Sequence, residues 1–184
     1  MNARARLVAV FSVASLTGVS AIFLPFAWDG SPMRATCSSE YGLWKFGAPF
    51  FLAILILGTS LHWIISGTLS KLEKWIAYII SISVACLTLS LFITSPPSDF
   101  SEWLMLLATI ITLAIGVFLV IRSLKIEKLK QFSPIMAMQT AYLGNCVLCL
   151  LAFRDDLEIG AYCALVTAVL YATQMIIISI KKEV

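Results

Sequence analysis

Charged and uncharged positions alternate along this chain in long blocks, not at the short period of an amphipathic helix or strand. Six stretches contain no Asp, Glu, Lys or Arg, and each is about 20 residues long: 7–26, 46–66, 75–94, 103–121, 134–153 and 159–180. A helix rises ~1.5 Å per residue, so about 20 residues cross the ~30 Å hydrocarbon core of a bilayer. The pattern predicts an all-α, polytopic membrane protein in which residues 1–184 form one integral membrane domain, a bundle of six transmembrane helices.

Composition agrees with this prediction, and the distribution of positive charge adds an orientation. The chain is 60% hydrophobic and only 12% charged, with a mean hydropathy of +0.97. A soluble domain carries roughly 25% charged residues. Counted on alternate sides of the six spans, 10 of the 13 Lys and Arg residues lie on the side of the two termini, and the exceptions are Arg34, Lys45 and Arg154. Because basic residues concentrate on the cytoplasmic side, both termini are predicted to be cytoplasmic.

The last two spans and the short acidic turn between them form the predicted structural centre. This hairpin carries most of the polar side chains that would lie inside a bilayer. Gln139 and Gln174 lie at similar depth and are predicted to hydrogen-bond, and Asn145 is predicted to bond Thr167 or Tyr171. The hairpin is either a ligand site or only a packing core. The candidate ligand-binding residues are Gln139, Tyr142, Asn145, Tyr171 and Gln174.

The cysteines are the feature of this sequence that resembles catalytic chemistry. Cys146 and Cys149 form a CxxC pair in the outer third of the fifth span, Cys163 lies at comparable depth, and Cys37 lies in the first outer loop. The tetrapeptide Cys-Val-Leu-Cys resembles the quinone-linked, disulfide-forming membrane oxidoreductases, which implies thiol–disulfide exchange with a quinone as cofactor. In that family the motif opens a helix of a four-helix protein, whereas here it lies inside the fifth of six. The alternative is that these cysteines serve as small hydrophobic residues.

No other catalytic, metal or cofactor site is predicted. The six spans hold no carboxylate, and their one histidine, His62, is predicted to lie at the cytoplasmic end of the second span, within reach of water. The sequence has no GxSxG, no HExxH, no phosphate-binding Gly-Lys-Ser and no cluster at zinc-ligand spacing. These absences favour a protein that is not an enzyme.

Two connectors are of interest for function. The first outer loop, residues 27–45, is the longest, and an external ligand or partner would contact it through Trp28, Asp29, Tyr41 and Trp44. The basic connector at residues 122–131 is either a plain cytoplasmic loop or a short amphipathic helix on an anionic leaflet, and we favour the plain loop.

Together these features favour a small non-catalytic membrane protein: a transport-related subunit or solute-binding membrane module that acts with a partner complex. In size and topology the chain resembles the substrate-capturing subunits of vitamin importers. The alternatives are an assembly, regulatory or immunity-type membrane protein and the thiol oxidoreductase. The expected partners are the lipid bilayer and either another membrane protein or further copies of this chain, with no nucleic acid. The expected location is the cell membrane (the inner membrane of a bacterium), or the endoplasmic reticulum in a eukaryote.

Overall fold

Helix is the regular structure throughout the part of the chain that the structure describes. The computed structural model describes residues 3–26, 30, 44–94, 96–127, 129–155 and 157–180, and these contain no β-strand. They form six helices: α1, Ala3–Phe23; α2, which runs through the turn Trp44–Gly47, the 3₁₀ turn Ala48–Phe51 and Leu52–Ser66; α3, Lys71–Thr94; α4, Phe100–Lys125; α5, Ser133–Ala152; and α6, Ile159–Ile180. For these residues the prediction of an all-α fold is confirmed.

Four of these helices are long and apolar enough to cross a membrane. The spans are Lys71–Ile93 in α3, Phe100–Lys125 in α4, Ser133–Ala152 in α5 and Ile159–Ile178 in α6. In α1 and α2 the described apolar stretches are shorter, Val13–Phe23 and Ala48–Trp63. The lengths and composition of the four long helices indicate an integral membrane protein.

Local sequence accounts for where α3 and α4 begin. Ser70 and Glu73 cap α3 reciprocally: the Ser70 N–H donates to Glu73 Oε2 at 2.7 Å, and the Glu73 N–H donates to Ser70 Oγ at 3.2 Å. Asp99 caps α4 by accepting the backbone N–H of Glu102 at 2.9 Å. This hydrogen bond favours the ionised carboxylate and lowers the pKa of Asp99.

Helix α5 is the centre of the bundle. Its apolar stretch is 67% buried, against 17% for α3 and 17% for α4, and it packs against α2, α3, α4 and α6. Its approach to α4 requires glycine, because a Cβ at Gly116 would overlap the side chain of Thr140, and a Cβ at Gly144 would lie 2.6 Å from Leu113 Cδ2. Small residues permit such close approach between membrane helices.

Contacts between helix ends show that α1, α2, α5 and α6 alternate in direction. The backbone N–H groups of Glu158 and Gly160, in the turn before α6 and at its start, donate to the carbonyls of Phe26 (2.9 Å) and Pro25 (2.6 Å), just beyond α1. A Cβ at Gly160 would lie 2.6 Å from the Pro25 carbonyl oxygen, so the two backbones approach closely. At the opposite end of the bundle, the last turns of α2 meet the residues that precede α5.

The basic connector between α4 and α5 is folded onto this opposite end. Leu129 and Phe132 are buried, and the rings of Phe132 and Trp63 lie 4.6 Å apart. The indole N–H of Trp63 also donates to Gln131 Oε1 at 3.3 Å. Because these apolar side chains pack on protein, they are not free to enter a leaflet, and the geometry fits a plain loop better than a membrane-surface helix.

His62 also lies at this end of the bundle, in the last turns of α2. Its Nε2 is 3.2 Å from Glu73 Oε1, and both side chains are exposed. That water reaches this histidine stays a prediction.

Candidate functional site: a buried polar row along α5 and α6

Of the buried polar side chains of α5 and α6, five form what we call the polar row: Gln139, Tyr142, Asn145, Tyr171 and Gln174. Each is at most 2% exposed. The three members on α5 and the two on α6 are spaced three residues apart, so each set follows one side of its helix. These are the five residues that the sequence proposed as ligand-binding candidates. The structure pairs Gln139 with Gln174 and Tyr142 with Tyr171, and it turns Asn145 towards α2.

The two glutamines form a hydrogen bond between α5 and α6, as predicted. Gln139 Nε2 donates to Gln174 Oε1 at 2.9 Å, and the pair is fully enclosed. Gln139 Oε1 and Gln174 Nε2 have no hydrogen-bond partner. The pair therefore makes one of the two hydrogen bonds that facing amides can make, and it leaves one acceptor and one donor unpartnered.

The two tyrosines lie one helical turn from the glutamines, and their hydroxyl groups differ. Their rings meet edge to face, with centroids 5.4 Å apart. Tyr171 Oη lies 3.0 Å from Ser15 Oγ of α1. Tyr142 Oη, although buried and close to Thr167, makes no hydrogen bond of normal geometry. Thr167 instead shares a 2.9 Å hydrogen bond with Thr17 of α1.

The hydroxyl groups that α1 contributes were missed in the sequence analysis. Ser15 and Thr17 are ordinary residues for a membrane helix, where hydroxyls commonly bond a carbonyl one turn earlier. Thr17 does so as well, donating to the Ala14 carbonyl at 2.8 Å. The chain carried no signal that these two hydroxyls also meet α6, because that contact depends on how α1 packs.

Asn145 does not make the predicted hydrogen bond to Thr167 or Tyr171. Its Nδ2 donates instead to the backbone carbonyl of Phe46 in α2, at 3.3 Å. A carbonyl oxygen can only accept, so Asn145 must present its NH₂ group there. Its Oδ1 is consequently the atom left without a partner.

Proline explains why the Phe46 carbonyl needs a donor from another helix. α2 tightens into a 3₁₀ turn at Ala48–Phe51, and in such a turn each N–H bonds the carbonyl three residues earlier. The donor for Phe46 would be residue 49, which is proline and has no N–H. Proline is tolerated in membrane helices where a neighbouring helix satisfies the freed carbonyl. Asn145 supplies that donor.

The cysteines of the CxxC pair are buried in the same region. Cys146 Sγ lies 3.6 Å from a carbonyl oxygen of α6, and Cys149 Sγ lies 3.9 Å from that of Phe46. Both are free thiols, and Cys163 is a free, half-buried thiol. Cys37 lies outside the described residues. Because thiol–disulfide exchange requires access to sulfur, exchange at Cys146 or Cys149 would require the surrounding packing to open.

A chain of phenylalanine rings covers the end of the polar row nearest the α5–α6 turn. The ring contacts have centroids 5.2–6.4 Å apart and run through Phe46, Phe153, Phe26 and Phe50 to Tyr142. No pattern in the sequence distinguishes these four phenylalanines from others in the spans. They separate the polar row from this end of the bundle.

The remaining candidates lie apart from this cluster. Trp28, Asp29 and Tyr41 fall outside the described residues, and Trp44 is the first residue of α2. Within the described ranges, no group of three or more His, Cys, Asp or Glu side chains could hold a metal ion. Among the residues whose side chains the structure describes, the buried polar ones are Ser, Thr, Asn, Gln and Tyr, and none is Asp, Glu, Lys or Arg.

Replacing one glutamine of the Gln139–Gln174 pair should destabilise the protein more than replacing both. Gln139→Leu or Gln174→Leu leaves a buried amide unpaired, which we expect to lower the free energy of unfolding by about 1 kcal/mol. The double Leu variant removes both amides and keeps an apolar interface, so it should unfold close to wild type. Denaturant titration in bicelles measures all four proteins. Additive losses in the double variant would show that the two amides do not interact.

Comparison of this chain with protein-family models, with curated protein sequences and with solved structures yields no match. Since function depends on the chemistry of a site more than on its fold, the polar row is the basis for a functional conclusion.

Proposed function

We propose that this chain crosses the cell membrane six times, with both termini in the cytoplasm. The alternating directions of α1, α2, α5 and α6 support this arrangement, as do the four long apolar helices and the apolar stretches of α1 and α2. Basic residues lie beside the α2–α3 turn, at Lys71 and Lys74 in the first turn of α3, and around the α4–α5 turn, and they match the positive charge of a cytoplasmic face.

We further propose that the protein is a non-catalytic, solute-binding membrane module. The unpartnered polar atoms of the polar row carry this proposal: Gln139 Oε1, Tyr142 Oη, Asn145 Oδ1 and Gln174 Nε2. In hydrocarbon an unsatisfied polar group costs several kcal/mol, since no water can reach it. A bound molecule that supplied the missing hydrogen bonds would recover this free energy, which gives the row a physical reason to hold a ligand.

A solute-binding module of this kind would act with a partner in the membrane. The sequence has no phosphate-binding Gly-Lys-Ser motif through which the chain could use a nucleotide itself. The described interior holds no carboxylate that could couple binding to a proton or ion gradient. We therefore place the energy source for transport in a partner permease or ATPase.

Purification from native membranes without detergent tests this function. Wild-type protein captured in polymer-bounded nanodiscs should retain a small molecule at about one per chain, detectable by native mass spectrometry, together with a permease or ATPase subunit. The Gln139→Leu, Gln174→Leu double variant should lose the small molecule. The matched control is Ser81→Ala, because Ser81 is a buried hydroxyl of α3 that donates within its own helix to Ala77.

Two results would count against the proposal. A lone, empty homo-oligomer would contradict it outright. An empty chain bound to a different membrane protein would favour an assembly or regulatory function instead.

A further inference from the structure

We propose that the polar row takes an uncharged small molecule with an amide edge, meaning an N–H donor and a C=O acceptor side by side, as in a lactam or a ureido ring. This inference rests on the solute-binding function proposed above and assigns the chemical class of the solute. The hydrogen-bonding state of Gln139 and Gln174 is the observation that carries it.

The unpartnered atoms of the glutamine pair are complementary to an amide edge. One hydrogen bond between two amides uses one NH₂ group and one oxygen, and it leaves one oxygen and one NH₂ group, whichever way each amide is oriented. A ligand N–H can donate to the free oxygen while the free NH₂ group donates to the ligand carbonyl. The ligand would then close a ring of three amides without breaking the 2.9 Å bond between Gln139 and Gln174.

The absence of charge around the pair selects an uncharged molecule. Among the side chains that the structure describes, the buried polar ones are Ser, Thr, Asn, Gln and Tyr, and none is Asp, Glu, Lys or Arg. An ion placed there would lose its hydration without gaining a counter-charge, which is far costlier than burying a neutral amide. A neutral ketone would satisfy the free NH₂ group but would leave the free oxygen without a donor.

The apolar surroundings suit a flat ring that carries such an edge. The edge-to-face rings of Tyr142 and Tyr171 lie one turn from the glutamines and offer aromatic surface. Met136, Met138 and Met175 are buried in the same core. Methionine side chains are unbranched and repack easily around an inserted group.

A matched set of six-membered rings tests the proposed class. The probes are 2-piperidone, which has both donor and acceptor; N-methyl-2-piperidone, which lacks the donor; cyclohexanecarboxylate; and cyclohexylammonium. Binding to wild type in nanodiscs is measured by saturation-transfer NMR, with protein-free nanodiscs to correct for partitioning into lipid. We expect 2-piperidone to bind, N-methyl-2-piperidone to bind about tenfold more weakly, and both ions to show no binding above the lipid control.

Variants locate the binding. The Gln139→Leu, Gln174→Leu double variant should lose the preference for 2-piperidone over its N-methyl analogue, and Ser81→Ala should keep it. Equal binding of the two lactams by wild type, a preference for either ion, or no binding of any probe would each overturn the amide-edge class. These readouts on wild type do not depend on whether the double variant folds.

These experiments distinguish failure of the amide-edge ligand class from failure of the solute-binding function. If protein from native membranes retains a charged molecule, or one without an amide edge, the solute-binding function stands and the class is wrong. If native preparations are empty and no probe binds, both proposals are wrong.

Discussion

Replacing Gly116 by alanine is expected to lower the free energy of unfolding by about 2–3 kcal/mol, because it forces α4 and α5 apart. The added Cβ would lie 2.8 Å from Thr140 Cβ and closer still to the two atoms beyond it. Thr140 cannot simply rotate away, since its χ1 is restricted by branching and its hydroxyl donates to the Met136 carbonyl at 2.8 Å. Denaturant titration in bicelles measures the change.

The chain provides a matched control and a partial rescue for this prediction. A Cβ at Gly58 of α2 would meet nothing within 4 Å, so Gly58→Ala should stabilise the protein slightly through its higher helix propensity. Thr140→Ala in the Gly116→Ala background removes the two nearest atoms and should recover part of the loss, because the 2.8 Å approach of the two Cβ atoms remains. If Gly116→Ala unfolds like Gly58→Ala, the two helices do not meet at this glycine.

Asn145→Leu should lower the free energy of unfolding by about 2 kcal/mol. The Phe46 carbonyl would lose the side-chain N–H of Asn145, which takes the place of the backbone N–H that Pro49 lacks. The leucine is similar in size, so loss of packing contributes little. The 3.9 Å thiol contact from Cys149 is a weak substitute for an amide donor. The same titration in bicelles reports the loss.

The cause of this loss can be isolated by restoring the backbone donor. Pro49→Ala returns an N–H that a 3₁₀ turn would direct to the Phe46 carbonyl. In that background Asn145→Leu should cost clearly less than it does in wild type, giving a coupling free energy of about 1 kcal/mol. A cost that is the same with and without Pro49 would mean that Asn145 stabilises the protein through some other contact.

The absence of charged residues predicted which segments are helical, but it predicted the helix ends less accurately, for a physical reason. Absence of charge marks the part of a helix that lies in hydrocarbon, whereas the helix itself can continue into water. α4 was predicted at 103–121 and runs over Phe100–Lys125, since Asp99 caps its start and its last turn tolerates exposed basic residues. α1 was predicted to reach residue 26, but it stops at Phe23, just before Pro25.

The glutamine pair was predictable because depth in a membrane can be counted from the charged ends of each span. Asn145 was not predictable in this way, since its partner is a backbone carbonyl 99 residues earlier in the chain. Pro49 was the available signal: a proline inside a span implies a freed carbonyl, and a buried amide on another helix can satisfy it. The contacts of Ser15, Thr17 and the four clustered phenylalanines depend on packing that no local pattern encodes.

The arrangement of the connectors about the membrane decides whether the polar row lies within the bilayer. A variant with all native cysteines replaced by alanine would carry one new cysteine at a time, at exposed positions in the connectors or at a helix end beside one: Ser70→Cys, Ser98→Cys, Lys125→Cys or Asp155→Cys. A membrane-impermeant maleimide should label Ser98→Cys and Asp155→Cys in intact cells, and should label Ser70→Cys and Lys125→Cys only after permeabilisation. Labelling of Ser70→Cys and Ser98→Cys from the same side, or of Ser98→Cys and Asp155→Cys from opposite sides, would contradict six spans with cytoplasmic termini.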